Sequence, residues 1–369
     1  MRADSKNGLM YSAFMSERAP FPNWIKPLAV TAFPHYTEIK STSTLIFVKG
    51  ARTMPNIWAH IRFGTEVLDV LHIDRNALAK EWLNAFRIGC QGPDFLFYDH
   101  FLPWQPSTEL NRLGSLMHNV RCGPFLLSLF DEARKRPFAD PAIAYTLGFL
   151  LHHILDRHLH PFVFSRSGFK KWHHQRYETA MDSAILMRRA GVHTGSTPVA
   201  PDIDTGGRLP GEFSSDFLRV VSEHYPAIAG KITAEQLDGA IAQMTRAQRL
   251  FYDPSGWKGR VAFGQLSPFS PPLQIPDWDV LNDAKQPWID PTDRTLVHHD
   301  SADELWDRAL EDAHATTAAA ISWLDAKTNE ESALLKVSFS ELLQDLSYET
   351  GLPCGGIPVT YAESVVPQR

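Results

Sequence analysis

The chain has 369 residues and a formal net charge of −6, from 36 Lys and Arg against 42 Asp and Glu. With 44% hydrophobic residues, its composition is that of a globular protein, and its length suits one large domain or two smaller ones. The mild acidity argues against stable nucleic-acid binding, which usually needs a basic stripe. No apolar run is long enough for a transmembrane segment, and the N-terminus lacks a secretory signal pattern.

Cysteine is sparse, with only Cys90, Cys122 and Cys354 in the whole sequence. An odd number without a Cys-x-x-Cys pair does not predict a disulfide framework. A reducing, cytoplasmic location is therefore expected.

Residues 1–53 contain scattered Pro, Ser and Thr and no sustained helical periodicity. They predict an N-terminal extension that is disordered or loosely attached, unless translation starts at Met54. The segment STLIFV at 43–48 is the only one whose sequence favours a strand. We expect residues 54–369 to form a single all-α domain.

Apolar residues at helical spacing predict most of the secondary structure. Pro161 is expected to end the helix predicted over 140–160. The predicted helical stretches are 64–90 (two helices with a short break), 108–131, 140–160, 173–190 and 214–252.

Two capping boxes are predicted near the C-terminus. Ser301 with Glu304 precedes a long helix, and Ser338 with Glu341 is expected to begin a last helix that ends at Gly351. Between the helices, 191–213 is rich in Gly, Pro, Thr and Asp, and 263–300 is rich in Pro, so both are predicted to be long loops. Loops of this length are usually functional or disordered, and no motif in them indicates a role.

The strongest local pattern is His152-x-x-x-Asp156-x-x-x-His160. Residues four apart lie on one helix face, and apolar side chains surround this face. Eight residues rise ~12 Å, which is too far for all three side chains to bind one ion. The spacing favours a carboxylate that bridges two metal ions with a histidine at each end, and zinc accepts both ligand types. A satisfied polar network in the core is the alternative.

A second pair, His174 and Glu178, is again one turn apart and is weak evidence by itself. Three more candidates are scattered along the chain: His60, Asp94 and His118. Each alone is more often structural, and Asp94 could be a helix cap.

Five further residues lie close to these candidates in the sequence. Asp99 and His100 follow Asp94 in the same loop and are alternatives to it. His153, His158 and His173 are out of register with the ligand face and are expected to be supporting or surface residues.

Five stretches, in this order and spacing, resemble the zinc-dependent phospholipase C family: MPNIWAHIRFG, GCQGPDFLFY, GSLMHN, AYTLGFLLHHILDRHLHPF and HQRYETAMD. The resemblance covers about residues 54–190 and is closest to the intracellular bacterial branch. The superfamily also contains secreted single-strand nucleases. It implies an all-α fold, a multi-helix phospholipase C/nuclease-like bundle with a zinc cluster in its core.

The resemblance implies eight ligands for two or three zinc ions. In the secreted enzymes the N-terminal Trp also binds the cluster, whereas Trp58 is internal here, so the ion that uses His60 would lack the ligands of that terminus. The implied sets are Asp94, His118, His152 and Asp156 for one ion, His60 with bridging Asp156 for another, and His160, His174 and Glu178 for a third.

The implied activity is hydrolysis of a phosphodiester by a zinc-activated water, with Asp94 as the candidate catalytic carboxylate. The expected substrate is a small phosphodiester or a phospholipid headgroup. A nuclease-like phosphodiesterase and a non-catalytic helical zinc-binding module are the alternatives. Aromatic residues follow Asp94, and four of them are expected either to line an apolar wall for an acyl chain or a base or to pack the loop: Phe95, Phe97, Tyr98 and Trp104.

Overall fold

The computed structural model describes residues 57–102 and 104–367. The N-terminal extension and the strand-like segment at 43–48 lie outside the described residues. Within the described part, helices dominate and the all-α expectation is confirmed.

Among the helices of the described residues, the longest is the fifth, Pro141–Ser167. Their bounds are α1 Ile57–Val70, α2 Lys80–Gly89, α3 Glu109–Met117, α4 Cys122–Ala133, α5 Pro141–Ser167, α6 His173–Ala190, α7 Ser214–His224, α8 Pro226–Ala229, α9 Ala234–Phe251, α10 Trp257–Val261, α11 Ala302–Leu324 and α12 Asn329–Leu343.

The connecting segments contain 3₁₀ turns and one small hairpin. The turn Gly92–Tyr98 joins α2 to α3 and is buried throughout. In the second long loop, strands β1 (Trp288–Ile289) and β2 (Val297–His298) pair antiparallel. The first long loop contains the turns Ala200–Asp202 and Pro210–Glu212.

Helix α5 is the centre of the fold, and α2, α11, α6 and α1 all pack against it. Its contact with α2 is close because Gly148 has no side chain. A Cβ at Gly148 would lie 2.2 Å from the carbonyl oxygen of Phe86. Side chains on nearly all sides of α5 are buried, so polar residues on it must find partners inside the protein.

The expectation that Pro161 ends this helix is wrong, since α5 continues to Ser167. Proline lacks the N–H that would bond to the carbonyl of Arg157 four residues earlier. That carbonyl instead faces Gly351, where an added Cβ would lie 2.4 Å from the oxygen. The helix therefore continues past the position of the missing hydrogen bond, with Gly351 packed against the carbonyl of Arg157.

The expected cap at Ser338 is also wrong. Helix α12 begins one residue after Thr328, whose side chain accepts from the N–H of Glu331. Ser338 lies inside the helix and donates to the carbonyl of Leu334. The helix ends at Leu343 rather than at Gly351.

The capping box of Ser301 and Glu304 is present at the start of α11. The stretch expected as one helix over 108–131 is two helices. The chain turns between α3 and α4, where Arg121 has a left-handed φ of 55°. This break places His118 at the C-terminal end of α3 instead of mid-helix.

Candidate metal centre

Helix α5 presents His152, Asp156 and His160 on one face, as the spacing predicts. Nε2 of His152 is 3.0 Å from Oδ2 of Asp156, and Nδ1 of His160 is 3.6 Å from the same oxygen. Asp156 is 2% exposed and therefore lies between two imidazoles inside the protein.

The turn before α3 and the end of α3 add Asp94 and His118. Oδ1 of Asp94 is 3.0 Å from Nε2 of His118, and its Oδ2 is 3.5 Å from Nε2 of His152. The neighbouring Asp99 points elsewhere and accepts a hydrogen bond from Gln243. Asp94, rather than Asp99, therefore joins the cluster.

Helix α1 contributes His60, whose Nε2 is 3.4 Å from Oδ1 of Asp156. Its ring lies 4.3 Å from that of His152. The start of α1 is held by Asp182, which accepts from the N–H groups of Trp58 (3.1 Å) and Ala59 (2.6 Å). Sequence reasoning missed Asp182, although it lies one turn after Glu178 on the same helix.

Helix α6 contributes His174 and Glu178. Nε2 of His174 is 2.9 Å from Oε1 of Glu178, and Nε2 of His160 is 3.6 Å from the same oxygen. This group is joined to the first through α5, because His160 lies between Asp156 and Glu178.

All eight residues expected from the sequence thus come together. Within each of three groups, one potential ligand atom per residue lies within 4.8 Å of the others, a spacing compatible with a shared metal ion. The groups are His60, His152 and Asp156; Asp94, His118 and His152; and His160, His174 and Glu178.

The outer nitrogens of four of these imidazoles contact protein oxygens. Such contacts fix the ring orientation and leave the other nitrogen available as a ligand, as is usual for metal-binding histidines. The Nδ1 contacts are His118 to Gly114 O (2.7 Å), His152 to Cys90 O (3.1 Å), His160 to Tyr348 O (3.1 Å) and His174 to Ser167 Oγ (3.4 Å).

Three atoms of these side chains are buried without a hydrogen bond among the described residues: Nε2 of His152, Oδ2 of Asp156 and Nδ1 of His60. The first two are only 3.0 Å apart but are not aligned as donor and acceptor. Leaving such groups unsatisfied costs about 1–3 kcal/mol each. A metal cation between them would satisfy both, so this donor set fits a metal ion such as zinc.

The electrostatics of the cluster are set by burial and by proximity. Burial opposes ionisation of Asp156, but the charges of His152, His160 and His60 outweigh it and hold its pKa below the usual range. Burial also opposes protonation of His160, yet Asp156 and Glu178 raise its pKa to about 10. Burial, helped by His152, lowers the pKa of His60 to about 3.

The three histidines expected to be supporting residues lie outside these groups. Nε2 of His153 contacts the carbonyl oxygen of Leu346 at 2.9 Å. The others contact side chains, namely His158 with Asp312 (2.8 Å) and His173 with Ser364 (3.0 Å).

A further residue of the site, Tyr348, comes from the segment after α12. Its N–H donates to the carbonyl of His118 (2.9 Å), and its ring centroid lies 5.1 Å from that of His118 and 5.7 Å from that of His152. No motif points to a single tyrosine so far along the chain, so sequence reasoning could not have found it.

The aromatic residues after Asp94 have different environments. Phe95 packs in the core against Phe217, and Phe97 lies against His118. Tyr98 lines a small hollow beside Trp58, while Trp104 is 73% exposed. Packing therefore accounts for Phe95.

Residues 59–229 match the family model described as zinc dependent phospholipase C. The match confirms the resemblance drawn from the sequence motifs, and it contains all eight residues of the cluster. Searches of curated proteins and of solved structures gave no match.

The zinc-dependent phospholipase C model supports assignment of the chain as a metal-dependent hydrolase. Among the described residues, no helix combines the length and the apolar character needed to cross a membrane.

Proposed function

We propose that the protein is a zinc-dependent phosphodiesterase of phospholipase C type. The observation that carries this proposal is the position of Asp156, a buried carboxylate in contact range of three imidazoles from two helices. Carboxylates that serve two metal ions are typical of two-metal hydrolytic sites.

The proposed ligands are the eight clustered residues, holding two or three zinc ions. His152 belongs both to the group containing His60 and to the group containing Asp94, and Asp156 lies 3.0 Å from it, so Asp156 would be in reach of both groups. His160 would serve the third group with His174 and Glu178. Bound zinc would supply positive charge to the phosphate oxygens and lower the pKa of a water molecule toward neutrality.

The chain's own residues would orient this chemistry. Among the described residues, the ionic partners of Asp94 and Asp156 are all histidines. Each histidine whose Nδ1 contacts a protein oxygen is held in a fixed orientation, which reduces the reorganisation needed on binding. Asp94 is the proposed catalytic carboxylate, because one of its oxygens faces His118 and the other faces His152.

The proposed substrate is a small phosphodiester or a phospholipid headgroup. A small hollow beside Trp58, which lies two residues before His60, is lined by both aromatic and polar side chains, among them Tyr98, Thr179 and Gln248. We propose that it receives part of the substrate.

The test uses purified full-length protein loaded with zinc. We would measure hydrolysis of a chromogenic choline phosphodiester and of single-stranded DNA, each with and without chelator. The proposal expects chelator-sensitive cleavage of the choline ester. Cleavage of DNA alone would favour the nuclease-like alternative, and zinc binding without either activity would favour a non-catalytic module.

A further inference from the structure

A second chemically active cluster lies outside the proposed metal ligands, at the start of α4. The Sγ atoms of Cys122 and Cys354 are 3.2 Å apart, although the two residues are 232 positions apart in the chain. We propose that these thiols are an oxidisable pair that forms a reversible intramolecular disulfide. This inference does not depend on the proposed phosphodiesterase activity.

The backbone around Cys354 already holds it in a defined position. Its N–H donates to the carbonyl of Asp345 (2.9 Å), and Leu346 pairs with Pro353 in an antiparallel bridge. We call residues 345–354 the C-terminal hairpin. The two ends of the hairpin are therefore fixed relative to each other, and Cys354, its last residue, is held in place.

The C-terminal hairpin is also fixed to α4. The side chain of Asp345 accepts from the N–H of Gly123 (3.1 Å). The chain passes so close to α4 that a Cβ at Gly123 would lie 1.9 Å from the carbonyl oxygen of Gln344. Because the backbone is anchored on both sides of the thiols, the sulfur atoms need only move about 1 Å closer to reach the bond length of a disulfide, about 2.0 Å.

The two thiols differ in access. Cys122 is 1% exposed, whereas Cys354 is partly exposed. Cys354 would therefore be the thiol that meets an external oxidant, and Cys122 would be the resolving thiol.

The oxidant is a small disulfide such as oxidised glutathione. The Cys354 thiolate attacks one of its sulfurs, forms a mixed disulfide and releases one glutathione thiolate. Cys122 then loses its proton to solvent, attacks Sγ of Cys354 and releases the second glutathione thiolate. Two protein thiols are thereby oxidised, and one glutathione disulfide is reduced to two thiols.

The bond would tie α4 to the same hairpin that contains Tyr348. That residue contacts His160 through its carbonyl and His118 through its N–H. Oxidation would therefore restrain the part of the hairpin that supports two of the clustered histidines.

The experiment treats the folded full-length chain with oxidised glutathione and then counts free thiols after denaturation without reductant. The proposal expects one remaining thiol, Cys90, together with a linked peptide pair containing Cys122 and Cys354. Dithiothreitol should restore all three thiols. Cys90→Ser should still form the link, and Cys354→Ser should not.

Thermal unfolding supplies a second readout. A cross-link that closes so long a loop should raise the unfolding midpoint by several degrees, and Cys354→Ser should abolish the shift. Three free thiols after oxidation, or a glutathione adduct that persists on Cys354, would overturn the proposal. An unchanged or lowered midpoint after cross-linking would contradict a bond that fits the folded structure.

Discussion

The backbone carbonyl of Tyr348 lies 3.1 Å from Nδ1 of His160. The two residues are 188 positions apart, and Tyr348 lies beyond the segment 59–229 that matches the family model. The C-terminal hairpin therefore supports a histidine that the matched segment alone would leave without this partner.

Replacing Tyr348 should weaken zinc binding although Tyr348 is not itself a proposed ligand. In Tyr348→Ala, the loss of a buried ring should cost about 3–5 kcal/mol of stability. Loosening of the contact to His160 should lower zinc affinity by about 10–100-fold. Titration against a chromogenic chelator measures the affinity. Tyr348→Phe keeps the ring and should retain most of the zinc affinity. A zinc affinity of Tyr348→Ala equal to that of the parent protein would contradict this role.

Removing the shared carboxylate should have a larger effect. Asp156→Asn keeps the size of the side chain but removes the charge that lies between His152 and His160. We expect it to lose at least one zinc ion per chain and to lower phosphodiesterase activity to the chelator-treated level. The matched control is Asp277→Asn, at an exposed position with no ion pair among the described residues. Unchanged zinc content in Asp156→Asn, measured by mass spectrometry, would contradict the proposed ligand set.

Metal removal should destabilise the fold, because the cluster joins α1, α3, α5 and α6. A ligand that binds only the folded state stabilises it by about 2.7 kcal/mol when present at 100 times its Kd. Zinc added to chelator-treated protein should therefore raise the unfolding midpoint by several degrees. Calcium at the same concentration is the control, since it prefers oxygen ligands. Equal midpoints with and without zinc would argue against a site built into the core.

The decrease in the free energy of unfolding at acid pH should depend on Asp312. This carboxylate lies 2.8 Å from His158 and also pairs with Arg157, both on the helix that carries Asp156. Burial opposes its ionisation, but the hydrogen bond from His158 and the charge of Arg157 outweigh it and lower its pKa from 3.8 to about 2. Since the folded-state pKa is the lower one, the stabilisation is present above about pH 4 and is lost as the pH falls toward 2.

The size of this contribution is roughly 2 kcal/mol. Asp312→Asn should reduce the free energy of unfolding by at least that amount at pH 7, and its stability should change less between pH 4 and pH 2. Denaturant titrations at several pH values measure both effects, with Asp277→Asn as the control. If the free energy of unfolding fell equally between pH 4 and pH 2 in the variant and the parent, Asp312 would not be responsible for the pH dependence.

The cluster of candidate metal ligands could be predicted because most of its residues lie on helices at regular spacing. His152, Asp156 and His160 share a face by the geometry of a helix alone, and His174 with Glu178 follows the same rule. Their apolar flanks indicated burial. Bringing in His60 and His118 required the family resemblance, since no local pattern connects them to α5.

The parts that could not be predicted depend on contacts between distant segments. Pro161 should end a helix on local grounds, but α5 continues to Ser167 and Gly351 packs against the carbonyl of Arg157. Ser338 and Glu341 match the capping-box pattern, yet the helix already begins at the earlier cap, Thr328. The approach of Cys122 to Cys354 and the contact of Tyr348 with His160 likewise arise from tertiary structure, which a single sequence does not reveal.

The most direct test of the metal centre is an anomalous-scattering map from crystals of zinc-loaded protein, recorded on both sides of the zinc absorption edge. We predict at least two edge-dependent peaks, one among Asp94, His118 and His152 and one among His160, His174 and Glu178. A third peak beside His60 would complete the proposed set. A map with no zinc peak between these side chains would contradict the proposal that they form a zinc centre.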